Sequence, residues 1–122
     1  MSLLQSKAVH GMGGFLLMGG WAAFANRAFD MPAPLVAGLV QGALTAIITL
    51  FLKSVIEAIF ARSHGWMRFV LPPLAAFFIS IVILSLIHSL AGTPAIFATI
   101  IVPIAVSTTY AFFYSWTLAR HA

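Results

Sequence analysis

Ala37-Gly38-Leu39-Val40-Gln41-Gly42-Ala43-Leu44-Thr45-Ala46-Ile47-Ile48-Thr49-Leu50-Phe51-Leu52-Lys53-Ser54-Val55-Ile56-Glu57 is the stretch that decides the fold class. Twenty residues separate a helix start at Pro34 from Lys53, inclusive. As a helix they measure about 30 Å, the thickness of a hydrocarbon core. Lys53 and Glu57 therefore emerge at an interface, one helical turn apart.

The rest of the chain agrees. Of its 122 residues, 62% are hydrophobic and 7% charged, with mean hydropathy +1.10. A soluble domain carries about 25% charged residues. Six Lys/Arg and two Asp/Glu cannot cover a water-facing surface, so the lipid bilayer is the expected solvent. The six cations are scattered, without the cluster that grips a phosphate backbone, so no nucleic-acid partner is expected. There is no cysteine, which excludes disulfides, thiolate catalysis and thiolate-held metals.

Upstream, nineteen uncharged residues lie between Lys7 and Arg27. They predict a first span over about 8–28, rich in glycine and suited to close packing on a neighbour. A rival reading of residues 1–25 is a signal peptide with Ala23-Phe24-Ala25 as its small-x-small cleavage site. Asp30, Pro32 and Pro34 read as the start of a second helix, with the carboxylate as its cap. That helix is expected over about 33–61. Downstream, fifty-one uncharged residues run from Arg68 to Arg120, too many for one span. Ala91-Gly92-Thr93-Pro94 divides them: a glycine to end one helix, a threonine cap and a proline to begin the next. Helices over about 70–90 and 94–118 follow.

The fold class is thus an all-α integral membrane protein of four transmembrane helices in two hairpins, a single domain over 1–122. Lys7, Lys53, Arg62, Arg68 and Arg120 fall on one side and Arg27 on the other, which places both termini in the cytoplasm. The expected location is the cell membrane, the inner membrane if the source is bacterial.

Gly38 and Gly42 form a small-xxx-small pair that lets another helix approach closely. Gln41, Thr45 and Thr49 run beside them, and Thr99, Pro103 and Tyr110 lie on helix four. Together they make a candidate polar seam or substrate-binding lining. Their other reading is polar contact between helices or back to their own carbonyls. Pro103 frees the carbonyl of Thr99, and Gln41 at similar depth is expected to donate to it. Lys53 and Glu57 form an interfacial pair, with Tyr114 and Trp116 in the aromatic belt.

His10, His64 and His121 fall on the cytoplasmic side and His88 near the opposite face, which excludes a bis-histidine haem within one chain. His88 reads as part of a helix end. No catalytic set, metal motif or cofactor motif is present, so the chain is expected not to be an enzyme and to carry no cofactor.

In length and span count the chain resembles the small multidrug-resistance transporters, but its first span lacks their glutamate. It also resembles the GtrA-like flippase-associated proteins; Phe24-Ala25-Asn26-Arg27 is a distant echo of their aromatic–Asn–Arg signature. Both resemblances are of architecture. They leave two expectations: an oligomeric transport or flipping component for a small apolar or lipid-linked substrate, or a non-catalytic accessory or assembly subunit of a larger membrane complex.

Overall fold

The structure, a computed structural model, describes residues 7–121, with side chains from Gly11 onward. The side chains of Lys7 and His10, singled out above, lie outside the described residues. The described chain is four helices: α1 (Lys7–Ala25), α2 (Ala33–Arg62), α3 (Met67–Leu90) and α4 (Ile96–Arg120). Helices α2, α3 and α4 are long and apolar enough to cross a membrane; in α1 the residues described with side chains form an apolar helical run, Gly11–Ala25.

Each helix buries a narrow stripe and exposes the remainder. In α3 the stripe is Pro72, Ala76, Ser80, Leu84 and His88, one residue per turn. Small side chains there bring α4 close. The outer faces carry Leu50, Phe78, Val82, Leu90, Phe97 and Phe113, all more than half exposed. The buried set includes Asn26, Gln41, Ser80, His88, Thr99 and Ser115. This distribution inverts that of a water-soluble bundle and suits an apolar solvent. A compact apolar cluster of Ile48, Leu52, Ile56, Ala76, Leu84, Ile100 and Ala111 joins α2, α3 and α4.

The glycines of α2 meet α1. A Cβ on Gly38 would lie 3.0 Å from the Gly19 carbonyl oxygen, and one on Gly19 would lie 2.8 Å from that of Gly38. Backbone touches backbone at this crossing, which only glycine permits. A Cβ on Gly42 would meet the Phe15 ring at 2.9 Å.

Helix ends differ from the sequence expectation in instructive ways. Asp30 does not cap α2 with its carboxylate. Pro32 occupies the cap position without a side-chain bond, and the Asp30 backbone oxygen accepts from Ala33 N–H at 3.0 Å. Pro34, in the first turn, needs no donor. Helix α1 ends at Ala25, earlier than expected, because Asn26 turns away to bond α4. Helix α3 begins at Met67 rather than near 70; Pro72 and Pro73 lie inside it and do not mark its start.

The α3–α4 turn is a Schellman closure. Gly92 adopts φ +75°, Thr93 N–H donates to the His88 carbonyl at 3.0 Å and Gly92 N–H to that of Ser89 at 3.2 Å. Thr93 does not cap α4, which begins at Ile96 with Ala95 in the cap position.

Candidate functional site

The polar residues gather in three places. The first ties α1 to the start of α4. Asn26 is wholly buried. Its Nδ2 donates to the Thr99 hydroxyl at 2.7 Å and to the Ala22 carbonyl at 2.8 Å, and its Oδ1 accepts from Ala95 N–H at 2.9 Å. Asn26 thereby supplies, from another helix end, the cap that no residue next to α4 provides. Thr99 completes the set by donating to the Ala95 carbonyl at 2.6 Å. Trp21 Nε1 donates to the Ala98 carbonyl at 2.9 Å one turn away. Sequence reading gave Asn26 no site role; its signal was an amide side chain in a chain so poor in polar groups.

The second place is a hydrogen-bonded line from the α3–α4 turn into α2. His88 is fully buried, with Nδ1 2.7 Å from the Thr93 hydroxyl and Nε2 2.8 Å from Gln41 Oε1. Gln41 Nε2 donates to the Thr45 hydroxyl at 3.2 Å, and Thr45 donates to the Gln41 carbonyl at 2.9 Å. These bonds fix the proton positions. Because the Thr45 hydrogen is committed to the Gln41 carbonyl, its oxygen accepts from the amide nitrogen. The amide oxygen is then left facing His88 and can only accept, so Nε2 carries the imidazole proton and Nδ1 accepts from Thr93. One neutral tautomer is compatible with every hydrogen bond in the line.

Gln41 therefore turns to His88 and not, as expected from sequence, to the Thr99 carbonyl. Both ends of the Gln41 amide are engaged, the oxygen by His88 and the nitrogen by Thr45, and its bonds run to those two partners instead of to α4. His88 is a link between helices as well as a helix-end residue. Among the described residues, no group of three His, Cys, Asp or Glu side chains comes together as a metal site.

The third place lies at the far end of α2. Lys53 Nζ is 3.1 Å from Glu57 Oε2, the expected pair. Tyr114 donates to the same carboxylate oxygen at 2.5 Å and stacks on Tyr110, with ring centroids 5.6 Å apart. Tyr114 thus clamps α4 to α2, a role beyond the interfacial belt. Lys53 and Glu57 side chains are 52% and 41% exposed, so the ion pair itself contributes little and the tyrosine gives it direction.

Between the second and third places a cavity of about 160 Å³ opens among Gln41, Thr45, Thr49, Ser107 and Tyr110, walled by Met18, Ile48, Leu52, Leu84, Pro103 and Val106. Of the candidate seam, Gln41, Thr45, Thr49, Pro103 and Tyr110 line this cleft, while Thr99 is held at the Asn26 cluster instead. Ser107 is an addition: its hydroxyl follows Pro103 by one turn, on the same face of α4. No family model, curated protein or solved structure matches the chain.

Proposed function

We propose that this chain is a multi-pass membrane protein with four spans arranged as two hairpins and both termini cytoplasmic, serving as a transport or flipping component for a small apolar or lipid-linked substrate. One observation carries the reading. The cleft between α2 and α4 combines apolar walls with a short row of uncharged polar groups, and no charged side chain lines it. Ligand sites have this composition: mostly apolar surface with a few placed polar groups. One copy encloses too little space for a full pathway, so the working form is an oligomer. Its contact is a face other than Gly38 and Gly42, which are occupied by α1 of the same chain.

Flux tests this directly. Purified protein in liposomes should accelerate movement of a fluorescent lipid-linked reporter between leaflets. Gln41→Leu combined with Tyr110→Phe should abolish the acceleration while the helix content stays the same. Unchanged leaflet exchange with and without protein would contradict the proposal.

A second reading, an accessory subunit, draws on another observation. Gly11, Gly13 and Gly20 of α1 face open space, with nothing within 4 Å of a Cβ built on them. Such a surface accepts a partner helix at close range. Purification in mild detergent separates the two: a symmetric oligomer of this chain supports transport, and obligatory co-purification with another membrane protein supports the accessory role.

A further inference from the structure

The cleft offers more than its shape. Along α4, the hydroxyls of Thr99, Thr108 and Thr117 donate to carbonyls four residues back, at 2.6, 2.8 and 3.0 Å. Ser107 and Tyr110 line the cleft on the same helix, and neither hydroxyl is engaged by a partner among the described residues. Both are donors. In an apolar setting an unused donor costs free energy, so each favours an incoming acceptor oxygen. Opposite them, Gln41 is held in one orientation by His88 and Thr45.

No charged side chain lines the cleft. Lys53 and Glu57 pair with each other and with Tyr114 beyond Tyr110, outside the lining. The nearest charges, Lys53 and Glu57, reach the Tyr110 hydroxyl only as a mutually compensated pair, so a carboxylate or an ammonium entering the cleft would meet no free counter-charge and would lose its hydration. A neutral oxygen would meet two donors.

The volume of about 160 Å³ sets the size. A cavity of about 150 Å³ accommodates a molecule the size of benzene, so the cleft holds a polar head and its first few carbons, not a whole lipid. The remainder has a place to go. A second, shallower groove, lined by Ala105, Val106, Thr109, Tyr110 and Phe113, shares Val106 and Tyr110 with the cleft and continues onto the outer surface of α4. Head cleft and tail groove are joined at two residues.

We infer that the α2–α4 cleft is a binding site for the uncharged acceptor oxygen, hydroxyl or carbonyl, of a long-chain lipid-soluble molecule, with Ser107 and Tyr110 donating to that oxygen and the chain lying along Val106 and Phe113. This deepens the transport reading by naming its ligand class, and it rests on the same cleft.

The test uses the full chain in phosphatidylcholine nanodiscs and a hexadecanol carrying a diazirine near its head. Photolabelling is expected to saturate and to map to residues of the cleft on α2 and α4. Unlabelled hexadecanol and a methyl ketone of equal length should compete; palmitic acid at a pH where it is ionised and hexadecylamine should not. Ser107→Ala with Tyr110→Phe should weaken the apparent affinity about tenfold or more, as expected for two lost hydrogen bonds. Leu50→Ile, on the lipid-facing side of α2, should leave it unchanged. Circular dichroism and gel filtration establish that the double variant is folded. Labelling that never saturates, that spreads over exposed positions such as Phe78 and Leu86, or that the ionised acid displaces equally would overturn the inference. Saturable neutral-head labelling without leaflet exchange in liposomes would remove the transport reading and leave this one standing. Leaflet exchange without saturable labelling would do the reverse.

Discussion

Individual polar side chains carry an unusual share of this molecule's specificity, because so few are present. Asn26 satisfies three partners at once, including the Ala95 N–H that opens α4. Asn26→Leu should destabilise the protein by about 2 kcal/mol, since it leaves the buried Ala95 N–H without an acceptor and removes the bond to the Thr99 oxygen. Thermal unfolding in detergent measures this, with exposed Arg27→Gln as a near-neutral comparison. Gln41 and His88 are coupled differently. Each single change, Gln41→Leu or His88→Leu, strands its partner in an apolar interior and should cost about 1–2 kcal/mol. The double change removes both and should cost less than the two single losses together. Strict additivity in that cycle would mean the two side chains do not bond. The sequence made Gln41 conspicuous as a lone amide in an apolar helix. It could not identify the partner, because that depended on where the α3–α4 turn folds, and both His88 and the Thr99 carbonyl were reachable by spacing alone.

At the scale of helices, the α1–α2 crossing is set by glycine. Gly19→Leu or Gly38→Leu places a side chain against a carbonyl about 3 Å away and should cost at least about 1–3 kcal/mol as an overpacked contact. Gly20→Ala, where a Cβ meets nothing, should be tolerated or slightly stabilising through helix propensity. A cysteine pair placed across the crossing, at positions such as Leu16 and Leu39 that line one groove beside it, reports the effect as a loss of crosslinking efficiency. If Gly38→Leu crosslinks as well as the parent, the close approach is wrong. Four helices were legible from charge spacing and length, and the Gly92 break from its left-handed requirement. The caps were not. Asp30 and Thr93 have the right chemistry at the right distance, yet Thr93 is drawn to His88 and α4 is capped by Asn26 from another helix. Local motifs name candidates for a cap, and tertiary contact chooses among them.

For the molecule as a whole, polar groups point inward, apolar groups point outward, and the cations sit asymmetrically along the chain. In a bilayer, three of the helices are long and apolar enough to cross, and the proposed topology adds α1 as a fourth crossing. That proposal puts the loop around Arg27 and the turn at Gly92 on the side opposite to the loop around Arg62 and Arg68 and to the C-terminus. Helix α1, nineteen residues long, is the crossing on which the proposed sidedness of both termini depends. A paired topology reporter tests it most directly: one enzyme active only outside the cytoplasm, fused after Thr93 in one strain and after Ala122 in another. The account predicts activity for the fusion at Thr93 and none at Ala122. Activity at Ala122, or silence at Thr93 with the fusion protein present in the membrane, would contradict it.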